Sequence, residues 1–300
     1  MTGSVVITGA SRGIGEACAL ELDKRAFHVF AGVRRIADAE ALKQKASSLL
    51  TPILIDITDN QSIQSACDVV YAATRETGLN GLVNNAGIAV AGPLEFIPIA
   101  QIRHQMEVNV IGQIAVTQRL LQLLRKGNGR LVNIGSMEGL MAMPFVGPYC
   151  ASKSAMEALT DCLRMELKPW GISVSIVEPS IIKTQTLENS IKAAEDIVKA
   201  MPEQGSNLYA PYFHAARKVA DEIVKSAMPY NEVVKAVVHA LTAKEAKTRY
   251  IVGRHAKLAA IAGRILPDRL RDWYLCRQMG LVKERAFCKS SSVEAELEPR

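Results

Sequence analysis

Short apolar runs alternate along most of the 300 residues with longer segments whose apolar positions recur at helical spacing. The runs over 4–8, 29–33, 52–56, 81–84, 130–135, 173–178 and 249–252 are rich in β-branched and aliphatic residues and predict strands. The segments between them, among them 63–77, 101–124 and 151–168, predict amphipathic helices. Strands separated by helices imply right-handed crossovers and a parallel sheet covered on both faces. The expected fold is therefore α/β: a single doubly wound domain over 1–288 with a seven-stranded parallel sheet. The rhythm breaks over 181–230, where two helical pieces surround Pro202, Gly205 and Pro211. Such an insertion belongs near the carboxyl ends of the strands, where open sheets take ligands.

Composition narrows the class. The first strand begins within a few residues of Met1, leaving no room for a secretion signal, and no apolar run reaches the length of a membrane span. A cytoplasmic location is expected, with a disordered tail over 289–300. The six cysteines form no CxxC pair and the five histidines no clustered ligand set, so neither a structural disulfide nor a metal site is expected. The net charge of +6 is spread along the chain without a recognition motif, which reads as a solvated surface and argues against nucleic acid. Over 254–281, Leu258, Ile261, Ile265, Leu266, Leu270, Trp273 and Leu275 interleave with Arg254, Lys257, Arg264, Arg269, Arg271 and Arg277. This pattern suits either a pair of helices packed on the core or a partner, or a segment lying on a membrane surface.

Chemistry enters at Thr8-Gly9-Ala10-Ser11-Arg12-Gly13-Ile14-Gly15, between the first strand and a helix-forming stretch. In that setting Gly9 permits a sharp turn, Gly13 lets backbone approach a pyrophosphate, and Gly15 allows helix to pack on strand. The phosphates would meet the free amides and positive dipole end of the helix. The second strand ends Gly32-Val33-Arg34-Arg35, with no acidic residue to hold two ribose hydroxyls. Together with Arg12, the arginines instead suit a 2′-phosphate, so NADP (NADPH) is the expected cofactor; the other reading is that Arg34 and Arg35 merely end a strand at the surface.

A second group lies at Tyr149-Cys150-Ala151-Ser152-Lys153, with Ser136 upstream. Positions four apart share a helix face, which sets the Lys153 ammonium near the Tyr149 phenol. A phenol with a free pKa of about 10 needs nearby positive charge to act near neutrality. Ser136, just past a strand end, can donate to a substrate oxygen as charge develops there.

On these residues the chain resembles the short-chain dehydrogenase/reductase family over roughly 4–185. The resemblance also rests on Asn84-Asn85-Ala86-Gly87 after the fourth strand and on Asn109-Val110-Ile111-Gly112. It implies a Rossmann-type fold and assigns Tyr149 as general acid/base. Lys153 would lower its pKa and bind the nicotinamide ribose, Ser136 would orient the carbonyl, and Asn109 would hold a water in a proton relay. It further implies cofactor contacts from Gly9, Ser11, Arg12, Gly13, Ile14 and Gly15, from Arg34 and Arg35, from Asp56 at the adenine, from Ile57, and from Asn85, Ala86 and Gly87. Pro179-Ser180-Ile181-Ile182-Lys183-Thr184 resembles the family's PGxxxT segment, which carries Pro179, Ile182 and Thr184 to the nicotinamide. Serine stands there for glycine, and it fits provided its backbone angles are ordinary.

The residues around Tyr149 and the longer C-terminal part resemble the hydroxysteroid and retinol dehydrogenase branch. Apolar stretches over 89–98, 140–146 and 187–213 would make a greasy pocket for a lipophilic carbonyl or alcohol, steroid-, retinoid-, aldehyde- or ketone-like, or are ordinary core. The family also implies a homodimer or homotetramer through the helices over 101–124 and 151–168. The expected function is NADP(H)-dependent carbonyl reduction. A β-ketoacyl thioester reductase and a non-catalytic dinucleotide-sensing or scaffold protein are the alternatives.

Overall fold

The computed structural model describes residues 3–183 and 185–281. Seven strands form one parallel sheet in the order β3-β2-β1-β4-β5-β6-β7: β1 (Ser4–Ile7), β2 (His28–Val33), β3 (Leu50–Leu54), β4 (Gly81–Asn84), β5 (Arg130–Ile134), β6 (Ser173–Pro179) and β7 (Arg249–Val252). The helices are α1 (Gly13–Lys24), α2 (Ile36–Lys43), α3 (Asn60–Thr74), α4 (Ile99–Met106), α5 (Gly112–Lys126), α6 (Gly147–Glu166), α7 (Gln185–Lys199), α8 (Glu203–Ser226), α9 (Asn231–Thr242), α10 (Arg254–Ile265) and α11 (Asp268–Gln278).

The period of two in β1 shows how sequence becomes layers. Val5 and Ile7 join a core shared with Cys18 and Leu22 of α1 and Val233 and Val237 of α9. Val6 points the other way, into a core with Val70 of α3 and Leu120 and Leu124 of α5. Covering both faces is what allows an all-parallel sheet with near-continuous apolar strands. Each fully buried aliphatic side chain here contributes about 1.5–3 kcal/mol.

Some differences from expectation have identifiable reasons. The third strand runs Leu50–Leu54 rather than over 52–56, because Leu50 through Leu54 pair with Val29 through Val33 and Asp56 is drawn into a turn, its Oδ1 accepting from Thr58 N at 2.9 Å. The helix expected over 101–124 is two helices joined by a π turn, Glu107–Ile111. Within the inserted region, Ala200, Met201 and Pro202 separate α7 from α8, which runs on through Gly205 and Pro211. The C-terminal segment forms α10 and α11, and among the described residues no helix is long and apolar enough to cross a membrane. The tail over 289–300 and Cys288 lie outside the described residues.

Strand β1 lies between β2 and β4, so the direction of winding reverses there, and the carboxyl ends of β1 and β4 open into a cleft. At the far side of the sheet Arg249, the first residue of β7, pairs with Glu178 of β6 and Glu157 of α6, and lies 3.8 Å from Asp161. Glu178 is fully buried, and burial raises the Glu157 pKa against the opposing charge of Arg249. Removing the Arg249 guanidinium would take away the ion-pair partner that Glu178 and Glu157 share. Arg249→Met is expected to lower stability by about 3–5 kcal/mol in urea unfolding; a loss below about 1 kcal/mol would show that these carboxyls do not depend on it.

Candidate active site

Two loops make the inner wall of the cleft. After β1 the chain turns at Gly9 with φ +68°, and a Cβ there would come within 2.7 Å of Ala86 Cα. At Gly15 a Cβ would lie 2.3 Å from Gly9 O and 2.4 Å from Asn85 Nδ2. Glycine is needed at both positions, once for the left-handed backbone and once for close approach. Thr8 Oγ1 accepts from the backbone N–H groups of Asn85 and Ala86 at 3.0 Å each. Asn85 Nδ2 in return donates to the carbonyls of Thr8 and Gly9, both at 3.0 Å. The loops after β1 and β4 are thereby tied into one surface. No side chain caps the start of α1, so its first-turn amides and dipole face an anion site.

The cleft has a volume of about 860 Å³. Of the residues expected at a cofactor, Gly9, Ser11, Arg12, Gly13, Ile14, Arg34, Asp56, Ile57, Asn85, Ala86, Gly87, Tyr149, Lys153, Pro179 and Ile182 line it. Gly15 instead packs behind the loop, and Thr184 lies outside the described residues. Arg35 is directed elsewhere: its Nε and Nη2 donate to Asp38 at 2.9 and 2.8 Å on the exposed first turn of α2. That hydrogen bond, together with the charges of Arg12 and Arg34, holds the Asp38 carboxyl below its usual range. Asp38 is thus occupied by Arg35, and Arg12 and Arg34 stand as cations on the cleft. This electrostatic setting fits a phosphate on the adenosine ribose. Asp56 is also held low, its carboxylate accepting from both the N–H and the hydroxyl of Thr58.

The opposite end of the cleft holds Ser136, Tyr149 and Lys153. Helix α6 begins at Gly147 with Pro148 in its first turn, which places Tyr149 and Lys153 on successive turns of one face. Lys153 Nζ donates to the carbonyl of Ile134, the last residue of β5, at 2.7 Å and lies 5.7 Å from the centre of the Tyr149 ring. Burial draws the ammonium pKa down from 10.5 to about 8, opposed by the charges of Glu138 and Glu157. Tyr149 is pushed above its ordinary value, first by burial and then by the Glu138 charge, while the neighbouring Ser136 hydroxyl acts the other way. Ser136 follows β5 in extended conformation, buried, with its Oγ donating to Glu138 Oε2.

Asn109 sits in the π turn and does not line the cleft. Its Nδ2 donates to Ile88 O at 2.9 Å and Ser152 Oγ at 3.0 Å, and its Oδ1 accepts from Ile88 N at 2.9 Å. The side chain therefore fastens the loop after β4 to the first turns of α6. Ser180 is not among the described non-glycine residues with positive φ, which are Ala26, Asn128 and Phe145; its N–H donates to Val252 O at 2.8 Å. Serine thus takes the glycine position with ordinary angles.

Some side chains of the site were missed at the level of sequence. Gln113 donates to Ala86 O, and Gln105 bonds both Ile88 O and Val90 N at 2.6 Å, bracing the same loop. A buried glutamine on an apolar helix face was the available signal. Glu138, two residues past Ser136, lines the cleft beside the reacting groups. Phe145 also lines it at φ +65°, a strained setting for an aromatic residue, with its carbonyl accepting from Gly92 N at 2.7 Å. Ile191 and Val198 from α7 and Phe213 and Val219 from α8 supply an apolar outer wall.

The family model for short chain dehydrogenases matches residues 4–195, and the chain belongs to that family. Retinol dehydrogenase 5 of Mus musculus is 38% identical over 91% of this chain and 89% of its own length. The NADPH-dependent 3-dehydrocapnine reductase of Ornithobacterium rhinotracheale is 34% identical over 89% of this chain and 94% of its own. A solved short chain dehydrogenase from Burkholderia cenocepacia in complex with NADP superposes with a TM-score of 0.69 at 25% identity, covering 91% of this chain and 97% of that one. The expected kinship with the retinol and hydroxysteroid branch agrees with these relatives.

The buried ammonium has a thermodynamic signature. Because the Lys153 pKa falls from 10.5 to about 8 on folding, the unfolded chain holds the extra proton between these values, and stability rises with pH across that window. The stability of the wild type relative to Lys153→Met is expected to increase by up to about 3 kcal/mol between pH 7.5 and 10.5 in denaturant unfolding; no change would mean the ammonium is not desolvated.

Proposed function

We propose that this protein is an NADP(H)-dependent carbonyl reductase acting on a lipophilic small molecule, steroid-, retinoid-, aldehyde- or ketone-like, and able to oxidise the corresponding secondary or primary alcohol. The observation that carries this reading is the convergence of Ser136, Tyr149 and Lys153 at one end of an apolar cleft whose other end is the glycine loop with Arg12 and Arg34. The names of the NADPH-dependent reductase and of the NADP complex among its relatives support the same cofactor. When bound, the dinucleotide would supply or take up a hydride. Gly9, Ser11, Gly13 and Ile14 would hold its pyrophosphate at the start of α1, Arg12 and Arg34 its ribose phosphate, and Pro179 and Ile182 its nicotinamide end.

The chain's own groups manage the proton. Tyr149 Oη donates to the substrate oxygen as negative charge grows on it, and Ser136 Oγ is the second donor to that oxygen. Lys153, fixed on Ile134 O, keeps a positive charge beside the phenol and so stabilises the phenolate left behind. Ile191, Val198, Phe213 and Val219 exclude water from the reacting carbon and favour an apolar substrate.

The outer face of α10 and α11 fits a lipophilic supply route. Ile261, Ile265 and Trp273 are 58%, 73% and 58% exposed, with Lys257, Arg264 and Arg269 exposed among them. Met279, just past α11, lines the cleft itself. We infer a cytoplasmic protein that rests this face on an anionic membrane surface. We further infer a homodimer or homotetramer through α5 and α6, a reading supported by exposed Ile111 and Met165 at their ends.

Two measurements test this function. In NADPH absorbance assays with retinal, a ketosteroid, a β-ketoacyl thioester and simple aldehydes, an apolar ketone or aldehyde is expected to turn over, and Tyr149→Phe to lower kcat by about 10²–10⁴-fold. Bound NADPH with no turnover of any carbonyl would overturn the reading in favour of a sensing protein. In flotation with vesicles, the protein is expected to bind anionic more than neutral membranes, and Ile261→Ser with Ile265→Ser and Trp273→Ser to abolish binding; equal recovery of wild type and variant would contradict the membrane contact.

A further inference from the structure

Glu138 places a carboxyl group among Ser136, Tyr149 and Lys153, and the proton transfers described above do not use it. Its position is fixed by the backbone. The 3-10 turn Met137–Gly139 seats on α6, where Ser154 Oγ donates to Gly139 O at 3.0 Å and a Cβ on Gly139 would come within 3.1 Å of the Lys153 backbone. Gly139 N also donates to Ser136 O at 3.0 Å, closing the turn on the serine itself. The carboxyl therefore meets Ser136 Oγ through a rigid turn rather than by chance of a mobile side chain.

Ser136 owns a single hydroxyl proton, and in this structure it is donated to Glu138 Oε2. A serine committed in this way presents only lone pairs to a carbonyl oxygen, which needs a donor. An ionised carboxylate can only accept, whereas a carboxylic acid has an O–H of its own that can donate to Ser136 Oγ. We propose that Glu138 is a positioning residue that gates the Ser136 proton: as carboxylate it withholds that proton from the substrate, and as carboxylic acid it turns the proton toward the substrate carbonyl.

The inference rests on the reductase reading and specifies which protonation state of the site carries it out. During reduction, hydride addition to the carbonyl carbon moves the C=O electron pair onto oxygen, and that oxygen takes the Tyr149 proton. Ser136 and Glu138 keep their protons through the cycle, and Tyr149 recovers its own from solvent. The charged or titratable groups acting on Glu138 from α6 are Tyr149, Cys150 and Lys153. Helix α10 also packs on the turn, but its Arg254, His255, Lys257 and Arg264 are exposed. Burial raises the Glu138 pKa above the usual carboxylate value, with the Ser136 hydrogen bond and Lys153 opposing, so the acid form persists to higher pH than for a surface glutamate.

The test is the pH profile of kcat/KM for NADPH-dependent reduction in wild type, Glu138→Gln, Ser136→Ala and the double variant. Wild type is expected to lose activity as pH rises through the Glu138 titration, by about tenfold per unit where the step is steepest. Glu138→Gln, whose amide donates to Ser136 Oγ at every pH, is expected to run at the acid-form rate without that step. In the Ser136→Ala background the rate falls by about 10²–10³-fold, the step disappears, and Glu138→Gln adds nothing. A step that survives in Glu138→Gln or in Ser136→Ala would overturn the gate. The second readout needs no turnover: the infrared C=O band present in wild type and absent in Glu138→Gln should titrate at the midpoint of the kinetic step and shift in Ser136→Ala. A band indifferent to Ser136→Ala overturns the gate even if no substrate is reduced, whereas a shifting band without turnover would fault the reductase reading alone.

Discussion

A single buried ammonium organises the reacting end of this molecule. Lys153 gives up hydration to sit on the carbonyl of Ile134, 2.7 Å away, at the point where β5 ends and α6 crosses the sheet. Neither element could shift without stranding that charge, so the interaction fixes Tyr149 one turn earlier and Ser136 two residues beyond Ile134. The same charge is what a phenol needs beside it to lose a proton. Burial and the Glu138 charge both drive Tyr149 the wrong way for acid/base work, the Ser136 hydroxyl opposes them, and the Lys153 ammonium stands 5.7 Å from the ring centre.

The other half of the cleft depends on a different economy, that of backbone hydrogen bonds. Thr8, Asn85, Gln105, Gln113 and Asn109 spend their side chains on loop carbonyls and amides after β1 and β4. These loops have no strand partner, so side chains satisfy what a sheet would otherwise satisfy. The result is a stiff wall against which a dinucleotide can lie without ordering the protein first. The outer wall of the cleft comes from α7 and α8, which belong to the inserted region and turn Ile191, Val198, Phe213 and Val219 toward it.

Much of this was legible in the chain. The apolar run Val5, Val6 and Ile7 gave the strand, the alternation of strands with helices gave a sheet covered on both faces, and the spacing of Tyr149 and Lys153 gave a shared helix face. What was not legible was tertiary. The carboxylate of Asp56 ends a strand early by bonding Thr58, and nothing local distinguishes Asp56 from a strand residue. The π turn at Glu107–Ile111 interrupts a segment with unbroken helical periodicity. Arg35 looked like a partner for phosphate, yet Asp38 lies three residues on and claims it, an i,i+3 pairing visible in the sequence once sought. Glu138 stood in plain sight next to Met137, but only the fold reveals that its carboxyl faces the serine.

The central claim is that the Lys153 charge makes Tyr149 a usable acid/base. The most direct measurement is an ultraviolet titration of the Tyr149 phenolate, taken as the difference between wild type and Tyr149→Phe with NADP⁺ present, and repeated in the Lys153→Met background. The account predicts that the phenolate forms at clearly lower pH when Lys153 is present. An identical midpoint in the two backgrounds would contradict it.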